Sequence, residues 1–371
     1  MTAKFKGYRP GPTVYQTVLP RVTAARWVPG WGSGYSGFIM LLRTVAVIGL
    51  GGLAAVAGLT WLAFSPTPAV QSGPLVIEIP AHESVLGIAT RLAEADVVHS
   101  RMAFLALTAG RGHIRHLKAG EYEIPRDATT LDVVDLLASG RVRQHIILHP
   151  EGATVAELAR ALESEHLARA EDVIRAAGEE RLRRTLDING PSLEGYLFPD
   201  TYQFVRGLSA EEMLGRMVQR LRSKLSPELI ARARTRGLDV HKLLTLASII
   251  EREAVDPEEQ RLISAVFWNR LRLDMPLQAD PTVQYAAAKE RRTLTRTDLA
   301  TDHPYNTYTR HGLPPGPIAS PGLGAIQAAV DPAPVDYLYF VARDDRRHTF
   351  STSVAEHNKA VLRYRTMRRA S

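Results

Sequence analysis

With 371 residues, 45% of them hydrophobic and 23% charged, the chain is long enough for two folded units and is not a disordered polymer. Its net charge of +7 does not mark a nucleic-acid surface, because Lys4, Lys6, Arg9, Arg21, Arg26 and Arg43 all precede or enter one apolar stretch, and no acid occurs before Glu78. The absence of cysteine excludes disulfides, thiolate nucleophiles and cysteine-ligated zinc.

Residues 1–37 mix glycine, proline and scattered aromatics without periodicity, and they read as a basic, disordered tail. An apolar segment follows at 38–64. Its part from Thr44 to Phe64 is uncharged and near the ~20 residues that cross a bilayer as helix. Trp61 suits the interface, and Pro66 and Pro68 stop the helix. The flank before it is basic and the flank after it carries only Glu78, so the positive-inside rule keeps the N-terminus in the cytoplasm and exports the rest. A cleaved signal peptide fits less well, because the tail is long and the apolar run exceeds an ordinary signal core.

Residues 65–74 (SPTPAVQSGP) are a Pro/Ser/Gly linker. Val76, Ile77 and Ile79 open a strand, and Val85, Ile88, Ala89 and Leu92 recur at helical spacing. A second helix is expected over about 100–109 and a strand pair around LKAGEYEIP. A third helix is expected near 130–138, capped by Thr129 or Thr130 and closed by Gly140. This small α/β unit spans 75–144. The strand HIILH at 145–149 begins a larger, mainly helical α+β unit over 145–371. In it Thr154 and Glu157 form a capping box, and a helix covers about 240–254. A loop-rich stretch runs over 278–322, then come a strand at DYLYFVA and a last helix from about Val354.

Three groups of residues could carry chemistry. In PSLEGYLFPDTYQF, Glu194 is flanked by Leu193, Tyr196, Leu197 and Phe198. Apolar surroundings favour the protonated carboxyl that a general acid needs. The alternative is a structural glutamate that caps a helix end or pairs with an arginine. In LASIIEREA, Glu251 and Glu253 are two apart and diverge on a helix, so only one can point into a site. A solvated charged face is the simpler interpretation there. LQADPTVQYA with YNTYTRHGLPPGPIASPG presents amides, hydroxyls and aromatic rings on rigid loops, which suits an uncharged polar ligand such as a sugar. Plain turn chemistry is the alternative. His303, His311, His348 and His357 lack metal-binding spacing, so no metal or cofactor is expected. Neither a serine nucleophile elbow nor a phosphate-binding loop is present.

LEGYLFPDTYQF, ASIIERE, VFWNRL, LQADPTVQY, YNTY, GLPPGPIASPG and DYLYFVA occur in the order found in the YceG-like endolytic murein transglycosylases, also called the MltG family. The chain resembles that family over about 75–365. The resemblance implies a LysM-like subdomain at 75–144 and a catalytic domain at 145–371. It implies non-hydrolytic cleavage of the β-1,4 bond between N-acetylmuramic acid and N-acetylglucosamine within peptidoglycan strands, leaving 1,6-anhydro ends. Glu194 matches the family's catalytic glutamate. Glu251, Gln278, Asp280, Asn306 and Tyr308 are candidate substrate contacts by residue type and block membership. Peptidoglycan synthases (penicillin-binding proteins) are the expected partners at the cytoplasmic membrane, where the enzyme would terminate or release nascent strands. A muramidase-type hydrolase would need a second carboxylate, for which Asp200, Asp280 or Glu251 would serve. A glycan-binding scaffold without activity is a further alternative.

Overall fold

The computed structural model describes residues 33–66, 75–125, 127–289, 292–343 and 347–370. Most of the expected tail (1–32) and linker (67–74) lies outside them. The chain divides into two units, Met1–Leu62 and Ala63–Ser371.

Among described residues the first unit is helix α1 (Ser33–Phe64) as far as Leu62. Residues 33–37, assigned to the tail from sequence, are helical. From Phe38 to Phe64 the helix has 27 residues of mean hydropathy 2.1, long and apolar enough to cross a membrane. Leu41, Val45, Ile48 and Leu53 are all exposed, with no polar face opposite them.

The second unit is mixed α+β and mostly helical. It begins with β1 (Leu75–Ile79), α2 (Val85–Glu94), α3 (Arg101–Gly110), β2 (Gly120–Ile124) and α4 (Thr130–Ser139). Ser84 and Ser100 accept first-turn amides of α2 and α3. Thr129 and Asp132 form a reciprocal box at α4, which Gly140 closes at φ +70°. The strand pair expected around 117–125 is a single strand. It pairs antiparallel with β1 instead, Leu75 opposite Ile124, because α2 and α3 fold the chain back on itself. Ile79, Leu92, Phe104, Tyr122, Ile124 and Leu137 are its core. Ser65, placed in the linker from sequence, lies 3.0 Å from His99, and Pro66 bridges to Thr129.

The larger part opens with β3 (His145–His149), α5 (Val155–Ser164), α6 (Ala170–Gly178), α7 (Glu180–Thr185) and β4 (Asp200–Phe204). β3 and β4 pair antiparallel with Ile147 opposite Tyr202. Helices α8 (Ala210–Lys224), α9 (Pro227–Thr235), α10 (Val240–Glu253) and α11 (Gln260–Arg272) follow. After them come the short α12 (Asp280–Ala286) and α13 (Arg296–Ala300), then α14 (Leu323–Val330). The hairpin β5 (Tyr339–Ala342) and β6 (His348–Ser351) leads to α15 (Val354–Ala370).

Helix α10 is the axis of this part. Every residue from Leu243 to Ile250 is buried, so it has no solvent face along that stretch. It packs against α11, α12 and α14. Its last turn, with Glu251 and Glu253, therefore emerges among loops rather than into water.

Candidate active site

Glu194 lies on a tight turn between α7 and β4. Leu193 anchors the turn by donating its amide to Ala177 O at 2.9 Å, and Tyr196 donates back to Leu193 O at 3.0 Å. Gly195 has φ +76°, and a Cβ there would stand 2.2 Å from Pro317 Cβ. Only glycine permits both the left-handed backbone and that approach. The Glu194 side chain is 6% exposed, between fully buried Leu193 and Leu197.

The Val155 amide donates to both carboxyl oxygens of Glu194 at 3.2 Å. Val155 is the first residue of α5. The Thr154–Glu157 box uses other groups of that helix end, Glu157 N donating to Thr154 Oγ1 and Thr154 N to Glu157 Oε2. The Val155 N–H is left over, and Glu194 takes it. The helix-end bond foreseen for a structural glutamate is thus present. It also fixes the carboxyl at a place where negative charge is welcome.

Two loops flank the turn. Gly152 donates to Ser320 O and Ser320 to Ala153 O, each at 2.8 Å, so residues 150–154 and 318–322 form a strap. His149 Nε2 meets Ser320 Oγ at 2.9 Å, and burial pushes that imidazole down to about 4, keeping it neutral. Ser248 Oγ on α10 accepts from Ile318 N. His241 Nε2 lies 2.7 Å from Pro315 O, so it carries the proton, and Nδ1 accepts from Tyr196 OH at 2.8 Å. Rigid Pro314–Pro317 is thereby clamped to the start of α10. Tyr285 of α12 and Tyr305 complete the surroundings. Burial raises both phenols, and the charge of Glu194 adds to it.

The remaining candidates do not share one place. Glu251 accepts the Gly322 amide at 3.0 Å. Burial pushes it up to about 7, opposed by that amide and reinforced by the charge of Glu151. A cavity of about 430 Å³ is lined by Gln278, Asp280 and Tyr308 together with Glu253, Arg270 and Tyr339. Tyr308 OH donates to Asp280 Oδ1 at 2.6 Å, and Arg270 Nη1 donates to Gln278 Oε1 at 3.3 Å. Asn306 is 1% exposed. Its amide nitrogen donates to Leu299 O and Thr301 O, and its oxygen accepts from Tyr308 N, so it braces the loop from inside. Asp200 is bound by Arg220 Nε at 2.7 Å and by Thr201 N, which with Arg220 holds it below the usual carboxylate range.

Sequence reasoning weighed Glu253 only as the partner that diverges from Glu251, and it passed over Tyr285 and Tyr305. Burial pushes Glu253 up to about 8, and the nearby Asp280 charge adds to this. The simpler interpretation of a solvated face at 251–253 does not hold: the two acids diverge, but into two different protein environments. Among the described residues no group of three or more His, Asp or Glu is arranged to hold a metal ion.

Residues 77–363 match the model of the YceG-like family. An endolytic murein transglycosylase of Bacillus subtilis is 36% identical over 304 residues, covering 78% of this chain and 84% of the relative. One from Streptococcus pneumoniae D39 is 31% identical over 308 residues, and the match spans 75% of this chain and 56% of that longer relative. The crystal structure of a yceG-like protein from Listeria monocytogenes superposes with a TM-score of 0.55 at 33% identity, covering 77% of this chain and 98% of that one.

Proposed function

The chain belongs to the YceG-like family, and on that premise we propose that it is an endolytic murein transglycosylase whose proton shuttle is Glu194. The observation that carries the assignment of Glu194 is its setting: a buried carboxyl fixed by the first amide of α5, on a turn that only glycine at 195 allows.

The reaction needs one carboxyl. Glu194, protonated, gives its proton to the glycosidic oxygen as the bond to C1 of the muramic acid breaks. The resulting carboxylate takes the proton of the C6 hydroxyl on the same sugar, and O6 closes onto C1. The nucleophile is already attached, so its effective concentration is high and no activated water is required. A two-carboxylate hydrolase is less well supported. Each acid that could serve as its second group is engaged elsewhere: Asp200 with Arg220, Asp280 with Tyr308, Glu251 with Gly322.

Three further assignments go with this function. Residues 75–144 act as a LysM-like glycan-binding subdomain, a view supported by the order strand, helix, helix, strand with the two strands antiparallel. Helix α1 anchors the protein in the cytoplasmic membrane with the N-terminus inside, supported by its apolar length and the basic residues before it. Peptidoglycan synthases are the partners in this proposal, a reading supported by a murein transglycosylase carrying a helix long and apolar enough to cross the membrane.

Mass spectrometry of products from purified glycan strands tests the core of the proposal. The wild type should yield internal cuts with 1,6-anhydro ends, and Glu194→Gln should lower the rate by at least about 10²-fold, the low end for loss of a general acid. Reducing ends in place of anhydro ends would replace the transglycosylase with a hydrolase. Full activity of Glu194→Gln would remove Glu194 from the mechanism.

A further inference from the structure

The proton shuttle gives no role to the two tyrosines beside Glu194. Tyr285 projects from α12 and Tyr305 opens the YNTY loop. Their ring centroids are 5.0 Å apart with planes at 48°. Both rest partly on the large core and remain half-buried, so each keeps part of its ring accessible. Tyr305 approaches the turn that carries the acid through residues 316–317, and Tyr285 follows through its ring contact with Tyr305. Gly195 abuts Pro317, and a Cβ on the adjoining Gly316 would stand 3.2 Å from Tyr305 OH. Burial raises both phenols, and the smaller addition from the Glu194 charge agrees with that placement. The His303 ring, 5.9 Å from Tyr305, extends the aromatic surface.

In the proposed reaction, C1 becomes cationic once the glycosidic oxygen leaves with the Glu194 proton. Two nucleophiles can then reach it. If O6 of the same sugar forms the new bond, its proton goes to Glu194 and the product is the anhydro sugar. If a water oxygen forms the bond, a water proton goes to Glu194, and the product is a reducing end heavier by one water. Glu194 serves both routes equally, so the carboxyl alone does not choose between them. The choice falls to whatever occupies the space a water would need. Aromatic faces suit that task twice over. They exclude water from the sugar face they cover, and their negative π-surfaces favour a cationic centre.

We propose that Tyr285 and Tyr305 form an aromatic wall over the reacting sugar that keeps water from C1, so that this pair sets the ratio of anhydro to reducing ends. The proposal rests on the transglycosylase assignment above and adds the residues that determine its product.

The test is product partition in oxygen-18 water, using full-length protein in detergent and purified glycan strands. Tyr285→Ala and Tyr305→Ala should raise the fraction of labelled reducing ends by about tenfold or more, a differential barrier of ~1.4 kcal/mol. Tyr285→Phe and Tyr305→Phe keep the rings and should hold the wild-type ratio. General damage to the fold would slow both products together and leave the ratio unchanged. Should the alanine variants fold too poorly to turn over, Tyr285→Leu and Tyr305→Leu decide by the same criterion, since they keep apolar packing but remove the outer half of the wall. Exclusively anhydro products from every active non-aromatic variant would overturn the proposal. Reducing ends as the main product of the wild type would instead sink the transglycosylase assignment, so the two failures are distinct.

Discussion

Substituting Gly195 by alanine separates backbone strain from steric contact at the turn that carries Glu194. Gly195 and Gly237 have nearly the same φ, +76° and +75°, but a Cβ at 195 would lie 2.2 and 2.6 Å from two Pro317 carbons, while at 237 nothing lies within 4 Å. The left-handed conformation costs an alanine about 1–2 kcal/mol at either site. The loss of unfolded-state freedom offsets this by ~0.4–1 kcal/mol, again at both. Only at 195 must Pro317 retreat, by more than ~1 Å to reach ordinary carbon contact. Pro317 belongs to a segment held by Ser248 and by the strap to residues 150–154, so it cannot move alone. Overpacking of that kind costs about 1–3 kcal/mol. Gly195→Ala should therefore be less stable than Gly237→Ala by about 1–3 kcal/mol in urea titrations. Displacing the acid by ~1 Å should also lower turnover by on the order of 10²-fold, while Gly237→Ala keeps wild-type activity. Equal destabilisation of the two variants would refute the packing argument. Wild-type turnover in Gly195→Ala would show that the contact with Pro317 does not position the acid.

Two other variants probe the remaining candidates. Burial raises Glu251 from 4.5 to about 7 and Glu253 to about 8, so the folded state holds protons that the unfolded chain releases. That stability is present below about pH 4.5 and is lost as pH rises through the folded values. Glu251→Gln keeps an acceptor for the Gly322 amide but cannot ionise. Its urea midpoint should fall less between pH 5 and pH 7 than that of the wild type, and identical slopes would mean that Glu251 is ionised in the fold. Asn306→Ala removes the brace of the YNTY loop. Amide exchange over 299–308 should rise together with the loss of activity. A raised KM with unchanged exchange would instead make Asn306 a direct substrate contact.

Local signals in the sequence were legible where one residue type does one job. Thr129, Thr154 and Gly140 act as the caps their side chains and positions announce. Gly195 likewise announces a fixed turn at Glu194. What stayed hidden depends on neighbours distant in sequence. DTYQF forms β4 only because β3 lies alongside, and the preceding Pro199 obscures its alternation. Thr245 and Ser248 are polar positions of α10 by residue type, yet both are buried, Thr245 donating to His241 O and Ser248 accepting from Ile318 N. With those positions closed, Glu251 and Glu253 could not form a solvated face. Tyr285 and Tyr305 are 20 positions apart, and nothing in either block says that their rings meet.

The placement of the acids on helices also orders their chemistry. Glu251 and Glu253 occupy the last turn of α10, where the helix dipole opposes negative charge, and burial acts in the same direction. Glu194 faces the opposite kind of helix end, the first amide of α5, which stabilises negative charge. The proposed shuttle passes through an ionised state in mid-reaction, and the Val155 amide is placed to stabilise it. A carboxyl at the end of α10 accepts a hydrogen bond whether protonated or not, as Glu251 does from Gly322, and so holds the 318–322 loop. The strap then carries that order to residues 150–154 and on to the Val155 amide that holds Glu194. Glu251, raised to about 7 by burial, thus supports through that loop the carboxyl proposed to change charge.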